Sequence, residues 1–133
     1  MAEAILAQRR PDWVVDSAGT GAWHIGNRPD HRTLAELERN GIATAHRARQ
    51  VRRQDSHDFD LILGMDRANL DNLRAMIDPA GPARLALLGD FDPAGMAEVP
   101  DPYHDGPEAF AAIFTQITRA VDGLITTWPA TTR

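Results

Sequence analysis

The stretch Phe59-Asp60-Leu61-Ile62-Leu63-Gly64 decides the fold class of this chain of 133 residues. It is a near-continuous apolar run, which is typical of a strand buried on both faces of a parallel sheet. Asp66 follows as the expected N-cap of a helix that ends before Asp78-Pro79. A second apolar run at residues 84–89 predicts the next strand. Strands alternating with helices in this way predict an α/β fold, a doubly wound parallel sheet with helices on both faces.

The flanking segments add three helices and one short strand. Helices are predicted over residues 1–10, from Asp30 to Asn40-Gly41, and onward from Gly106-Pro107, where apolar side chains recur at three- and four-residue steps. Trp13-Val14-Val15 predicts a short buried strand before a glycine-bearing loop. No strand precedes the opening helix, and three short strands are few for four helices to cover. We therefore expect residues 1–133 to form one domain whose first strand is missing.

Composition limits the classes of partner and site. A formal charge of −5 and a pI near 5.4 argue against nucleic acid or an anionic membrane as the main partner. No apolar run approaches the roughly 20 residues that span a bilayer, so a cytoplasmic protein is expected. The chain has no cysteine, which excludes disulfides, thiolate metal sites and a cysteine nucleophile within it. Its five histidines lack the spacing of metal ligands, and we predict no metal site.

Residues 47–53 contain four arginines, Arg47, Arg49, Arg52 and Arg53. Such a run is most often a solvated loop or helix face. The functional alternative is attraction of an anionic substrate or partner.

Asp101 is the strongest candidate for chemistry. It lies between Pro100 and Pro102, in a long loop at residues 89–107 that is rich in proline, glycine and aspartate. The prolines restrict its backbone, and a carboxylate held on a stiff loop suits general acid catalysis. The alternative is ordinary turn chemistry, since aspartate beside proline is common in turns. A loop of this length in a small domain favours a functional role.

Seven stretches, in this order and with compatible spacings, resemble the low-molecular-weight protein tyrosine phosphatase family. They are Met1-Ala2-Glu3-Ala4, Asp16-Ser17-Ala18-Gly19-Thr20, Trp23-His24-Ile25-Gly26-Asn27-Arg28-Pro29-Asp30, His46-Arg47-Ala48-Arg49-Gln50, Asp60-Leu61-Ile62-Leu63-Gly64-Met65-Asp66, Leu88-Gly89-Asp90-Phe91-Asp92-Pro93 and Asp101-Pro102-Tyr103. The resemblance implies a flavodoxin-like fold. It also implies hydrolysis of phosphotyrosine in proteins, or of small phosphate monoesters, through a cysteinyl-phosphate intermediate without metal or cofactor.

The resemblance also assigns roles to residues. Asp101 matches the family's general acid and base, and Trp23 and Tyr103 match the aromatic rim that grips the phosphotyrosine ring. Ser17 and His46 match side chains that hydrogen-bond toward the phosphate-binding loop, and Asp66 matches a weaker supporting position.

One departure from the family is severe. The family's first strand and its phosphate loop, of the form Cys, five residues, Arg, Ser or Thr, Pro, have no counterpart in the sequence. Met1 stands where the family has the residue after that proline. We expect the chain as given to be inactive, either because its start was assigned too far downstream or because the gene is truncated. A non-catalytic remnant is the alternative function, and an arsenate reductase is less favoured because it needs further cysteines. The oligomeric state is not predicted.

Overall fold

The computed structural model describes residues 1–19, 31–44, 49–100 and 106–128. Its regular elements are, in chain order, α1 (Ala2–Arg9), α2 (His31–Arg39), α3 (Asp55–Asp58), β1 (Leu61–Gly64), α4 (Arg67–Met76), β2 (Arg84–Leu87), a 3₁₀ turn (Leu88–Phe91) and α5 (Pro107–Thr127). In this part of the chain, no helix combines the length and the apolar character needed to span a membrane.

The strand pair β1–β2 is the centre of the fold. The two strands run parallel, with Leu61 opposite Arg84 and Gly64 opposite Leu87. Helix α4 makes the crossover between them, as parallel strands require. The predicted strand–helix–strand unit and the α/β class are confirmed, although each strand is shorter than its apolar run.

Two side chains cap the N-terminus of α4. The Asp66 carboxylate accepts a hydrogen bond from the Asn69 backbone N–H at 2.7 Å, and Asn69 Oδ1 accepts one from the Met65 N–H at 3.0 Å. Two of the N–H groups near the helix start are thereby satisfied. The N-cap predicted at Asp66 is confirmed.

Helices cover both faces of β1. Leu63 packs against one apolar cluster and Ile62 against another, because successive side chains of a strand point to opposite faces. The first cluster comes mainly from α1, α2 and α5 and includes Ile5, Leu37, Ile113, Ile117 and Val121. The second comes mainly from α4 and β2 and includes Leu70, Leu73, Ile77 and Leu87.

The strand predicted at Trp13-Val14-Val15 is wrong. These residues form no regular strand, and Val14 is 87% exposed. A strand needs a neighbour to hydrogen-bond, and in the described chain the nearest strand-like pairing is an isolated parallel bridge between Gly19 and Gln50, beyond this segment. The expectation that β1 is buried on both faces also needs correction, since its first three residues are only half-buried. These three residues line a cavity, which is described below.

The loop predicted at residues 89–107 is more ordered than expected in its first part. It opens with the 3₁₀ turn, and Asp92 then accepts two hydrogen bonds from the Arg119 guanidinium at 2.7 and 2.8 Å. These bonds hold the pKa of the Asp92 carboxyl below its usual range. The pair fastens the loop to α5.

Gly123 permits the close approach of α5 to this turn. A Cβ at Gly123 would lie 1.9 Å from the carbonyl oxygen of Phe91. Backbone atoms cannot move aside cheaply, so only glycine fits here without a shift of the turn.

We therefore expect Gly123→Ala to lower the free energy of unfolding by about 1–3 kcal/mol, although alanine is the better helix former. The measurement is urea unfolding followed by circular dichroism. The matched control is Thr115→Ala, at an exposed position of the same helix, for which a change within about 0.5 kcal/mol is expected. A Gly123→Ala protein at least as stable as the parent would contradict the proposed close packing.

Candidate active site

A cavity of about 1210 Å³ lies between residues 14–18 and β1. Residues of α1 and α5 line it, as do Val51 and Leu73 from the opposite cluster. Its walls therefore come from the same two helical layers that cover the sheet. It reaches Met65 and Asp66, at the carboxyl end of β1. In open α/β sheets this is the edge at which ligands bind.

Ser17 is one of the predicted site residues that the structure places in this cavity. Its hydroxyl donates a hydrogen bond to Glu3 Oε1 of α1 at 2.9 Å, and its backbone N–H donates to Asp16 Oδ1 at 2.8 Å. No histidine lines the cavity among the described residues, so the described part of the chain contains no serine–histidine pair at this cavity. The hydrogen bond from Ser17 to Glu3 connects the segment at residue 17 to α1.

Asp66 lines the same cavity. Its carboxylate also caps α4, so the side chain has a structural task in addition to any supporting role at a site. Ser17 and Asp66, which lie far apart in the sequence, thus border one cavity.

The main chain at residues 99–100 is anchored at this edge. Val99 is buried, and its N–H donates to the Met65 carbonyl at 2.8 Å. Val99 and Pro100 both line the cavity. The predicted residues Asp101, Tyr103, Trp23 and His46 lie outside the described residues.

Arg49 joins three segments, a role that the sequence did not reveal. Its guanidinium donates to Asp16 Oδ2 at 2.9 Å and to Asp55 Oδ2 at 3.0 Å. The Asp55 carboxylate also accepts a hydrogen bond from the backbone N–H of Arg52 at 2.9 Å. Burial raises the pKa of Asp55, but these hydrogen bonds outweigh burial and leave it below its usual range. The cluster ties the segment before Gly19 to α3.

Among its described members the arginine run is only partly engaged within the protein, since the side chains of Arg52 and Arg53 are 65% and 70% exposed, as the prediction of a solvated loop requires. Arg49 lies in the cluster just described, while Arg53 approaches Asp78 at 3.5 Å and Arg52 approaches Asp55 at 3.8 Å. For Arg49, the predicted solvated face and the predicted attraction of an anionic partner are both wrong. Its side chain is only 24% exposed and forms ion pairs with two carboxylates of the protein. Arg47 lies outside the described residues. The sequence did contain the two carboxylates that pair with Arg49, Asp16 and Asp55. Single carboxylates are too common in a sequence for these two to be identified as its partners.

In the described ranges, no group of three or more histidine, aspartate or glutamate side chains could hold a metal ion.

We expect Asp55→Asn to lower the free energy of unfolding by about 2 kcal/mol at pH 7, because it leaves Arg49 with a single carboxylate partner. Removing one partner of a buried pair costs about 3–5 kcal/mol, and we expect less here because Arg49 is partly solvated and retains Asp16. Denaturant unfolding measures the change.

The lowered pKa of Asp55 also predicts how the stability of the protein depends on pH. A carboxyl whose pKa is lowered by folding stabilises the protein above its unfolded pKa of about 3.9, and this contribution is lost as the pH falls through the folded pKa. The parent should lose stability below about pH 4, and Asp55→Asn should lose less over the same range. Asp71→Asn, in an exposed pair with Arg74, is the control. Equal pH profiles for the parent and Asp55→Asn would contradict the role of the pair.

Comparison with known proteins identifies the family. The sequence model described as "Low molecular weight phosphotyrosine protein phosphatase" matches residues 1–131. A curated relative, the low molecular weight phosphotyrosine protein phosphatase of Schizosaccharomyces pombe, is 42% identical over 105 residues, covering 78% of this chain and 67% of the relative.

Solved structures agree with the sequence match. The crystal structure of a Drosophila arginine phosphatase has a TM-score of 0.89 and 32% identity, over 96% of this chain and 88% of its own. YfkJ from Bacillus subtilis has a TM-score of 0.85 and 33% identity, over 99% and 87%. The expected flavodoxin-like α/β fold is confirmed. The protein therefore belongs to the low molecular weight phosphotyrosine protein phosphatase family.

Proposed function

We propose that this protein hydrolyses phosphotyrosine monoesters, in proteins or small molecules, through a cysteinyl-phosphate intermediate. The observation that carries the proposal is the match to the family over residues 1–131. The 133 residues contain no cysteine. The proposed reaction requires a cysteine from outside these residues, and we expect the 133 residues alone to be inactive.

Two displacement steps make up the proposed reaction. In the first, a thiolate attacks phosphorus, an S–P bond forms and the bond from phosphorus to the phenolic oxygen breaks. In the second, water attacks the phosphorus, the S–P bond breaks and inorganic phosphate leaves. The family's loop amides and arginine stabilise the charge on the phosphoryl oxygens in both steps.

Asp101 moves the protons. It donates one to the leaving phenolate in the first step and takes one from the attacking water in the second, which is general acid and then general base catalysis. The anchoring of Val99 to Met65 supports this role, because it fixes the main chain two residues before Asp101 at the carboxyl edge of β1.

The other assigned residues bind or position. Trp23 and Tyr103 flank the phenyl ring of the substrate, and Ser17, His46 and Asp66 orient the phosphate-binding loop. The cavity supports the assignment of Ser17 and Asp66, since both border the space at the carboxyl end of β1.

The first experiment supplies the chain with a cysteine nucleophile. The N-terminal strand and Cys-containing loop of the S. pombe relative are fused before Met1, and hydrolysis of phosphotyrosine, p-nitrophenyl phosphate, phosphoserine and phosphoarginine is measured. We expect no turnover by the chain alone and preferential phosphotyrosine hydrolysis by the fusion. A fusion with Cys replaced by Ser is the control. A folded but inactive fusion would favour the non-catalytic alternative, and a preference for phosphoarginine would overturn the substrate assignment.

Asp101→Asn in the active fusion tests the general acid. We expect kcat for phosphotyrosine to fall about 10²–10⁴-fold. The fall should be smaller for p-nitrophenyl phosphate, whose leaving group needs a proton less. Asp71→Asn, on the exposed side of α4, is the matched control and should retain the activity of the fusion. An equal loss for both substrates would indicate a structural role for Asp101.

A further inference from the structure

One face of α5 holds both ends of the loop segment that precedes Asp101. Arg119 donates two hydrogen bonds to Asp92, near the start of this segment. Gln116 lies three positions before Arg119 and therefore on the same face of the helix. Its side-chain amide donates to the Glu98 carbonyl at 2.8 Å, near the end of the segment. The segment is thereby fastened to the helix at two points.

Burial strengthens the second of these points. Gln116 is only 4% exposed. A buried amide that lacks a partner bears the full cost of leaving water, so its hydrogen bond is costly to break. The bond from its Nε2 group to the Glu98 carbonyl therefore fixes the main chain of residue 98 at one level of α5.

Glu98 is fastened a second time through its side chain. Its Oε2 accepts a hydrogen bond at 2.8 Å from the backbone N–H of Arg67, one of the first N–H groups of α4, which have no partner within the helix. The next residue, Val99, is buried in the first apolar cluster, and its N–H donates to the Met65 carbonyl. Residues 98 and 99 are thus tied to α5, to α4 and to the carboxyl end of β1.

This anchoring ends two residues before Asp101. The ring of Pro100 fixes its own φ, and Pro102 restricts the backbone of Asp101. Few torsion angles therefore separate the anchored main chain from the Asp101 carboxyl group. A general acid has to lie within hydrogen-bond distance of the atom that it protonates. A displacement of about 1 Å can lower a rate about a hundredfold, so the anchors of residues 98 and 99 bear on catalysis.

We propose that Gln116 and Glu98 are positioning residues for the general acid. Gln116 holds the main chain of residue 98 against α5, and the Glu98 carboxylate holds it against α4. Together they set where Asp101 meets the leaving oxygen, and neither needs to contact the substrate. This inference rests on the proposed function, because the position of a general acid matters only where one is in use.

The test uses the active fusion with the S. pombe strand and loop, and the variants Gln116→Leu and Glu98→Ala. kcat/KM is measured for phosphotyrosine, phenyl phosphate and p-nitrophenyl phosphate. We expect each variant to lower kcat/KM for phosphotyrosine about tenfold to a hundredfold. The fall should be smaller for p-nitrophenyl phosphate, because its leaving group needs a proton less. A loss of folded protein would instead lower all three values equally.

An Asp101→Asn background separates positioning from folding. Once the acid is absent, its position no longer matters, so adding Gln116→Leu should lower kcat/KM by less than about twofold. A purely structural effect of Gln116→Leu would lower kcat/KM by the same factor in both backgrounds. Glu98→Ala, at an exposed position, decides the outcome if Gln116→Leu does not fold.

Two substitutions serve as controls. Glu98→Gln keeps an oxygen that accepts from the Arg67 N–H but removes the charge, so it should retain most of the activity that Glu98→Ala loses. Thr115→Ala, beside Gln116 on the exposed side of α5, should leave kcat/KM unchanged. Hydrogen exchange at the Val99 amide should be faster in Gln116→Leu than in the parent, and unchanged in Thr115→Ala.

Three outcomes would overturn the inference alone. They are an unchanged kcat/KM in both variants, a loss that is equal for all leaving groups, and a loss in Glu98→Gln as large as that in Glu98→Ala. The last would assign the effect to charge rather than to the hydrogen bond. A parent fusion without turnover would overturn the proposed function and the inference with it, so the two failures are distinguishable.

Discussion

The parallel pairing of β1 with β2 is the interaction from which the remaining geometry follows. With Leu61 opposite Arg84, Leu63 points to the helices α1 and α5, and Ile62 points to α4. The same register places the backbone of Leu61 and Leu63 on the cavity edge and brings Asp66 to the carboxyl end. A slip of one residue would exchange the two faces and place each apolar side chain against the wrong layer.

Ion pairs and a backbone hydrogen bond then fix the segments around the cavity. Arg49 ties residue 16 to α3, and the hydrogen bond between Val99 and Met65 ties the end of the long loop to β1. On the opposite side, Asp92 fastens the start of that loop to Arg119 of α5. Arg49 and Arg119, each paired with a buried carboxylate, thus set the positions of these segments.

Local patterns predicted much of this fold, and they failed where a neighbouring segment decides the outcome. Residues 59–64 and 84–89 were recognisable as strands because apolar, leucine-rich runs suit a buried sheet. Asp66 was recognisable as a cap because its hydrogen bond is made within its own helix. Trp13-Val14-Val15 has an equally apolar pattern but forms no strand, since it lacks a ladder along its length. The partners of Arg49 were hidden because Asp16 is 33 positions away in the sequence.

The sequence by itself determined the α/β class, the βαβ unit, the N-cap at Asp66 and the family, because these depend on local patterns and on the order of motifs. It also determined that no cysteine nucleophile lies within these 133 residues. Only the tertiary structure decided that Ser17 and Asp66 border one cavity, that Arg49 lies half-buried between two carboxylates, and that one edge of β1 is left without a backbone partner in the described chain. These facts depend on contacts between distant segments, and such contacts are set by packing and strand register, which no local pattern encodes.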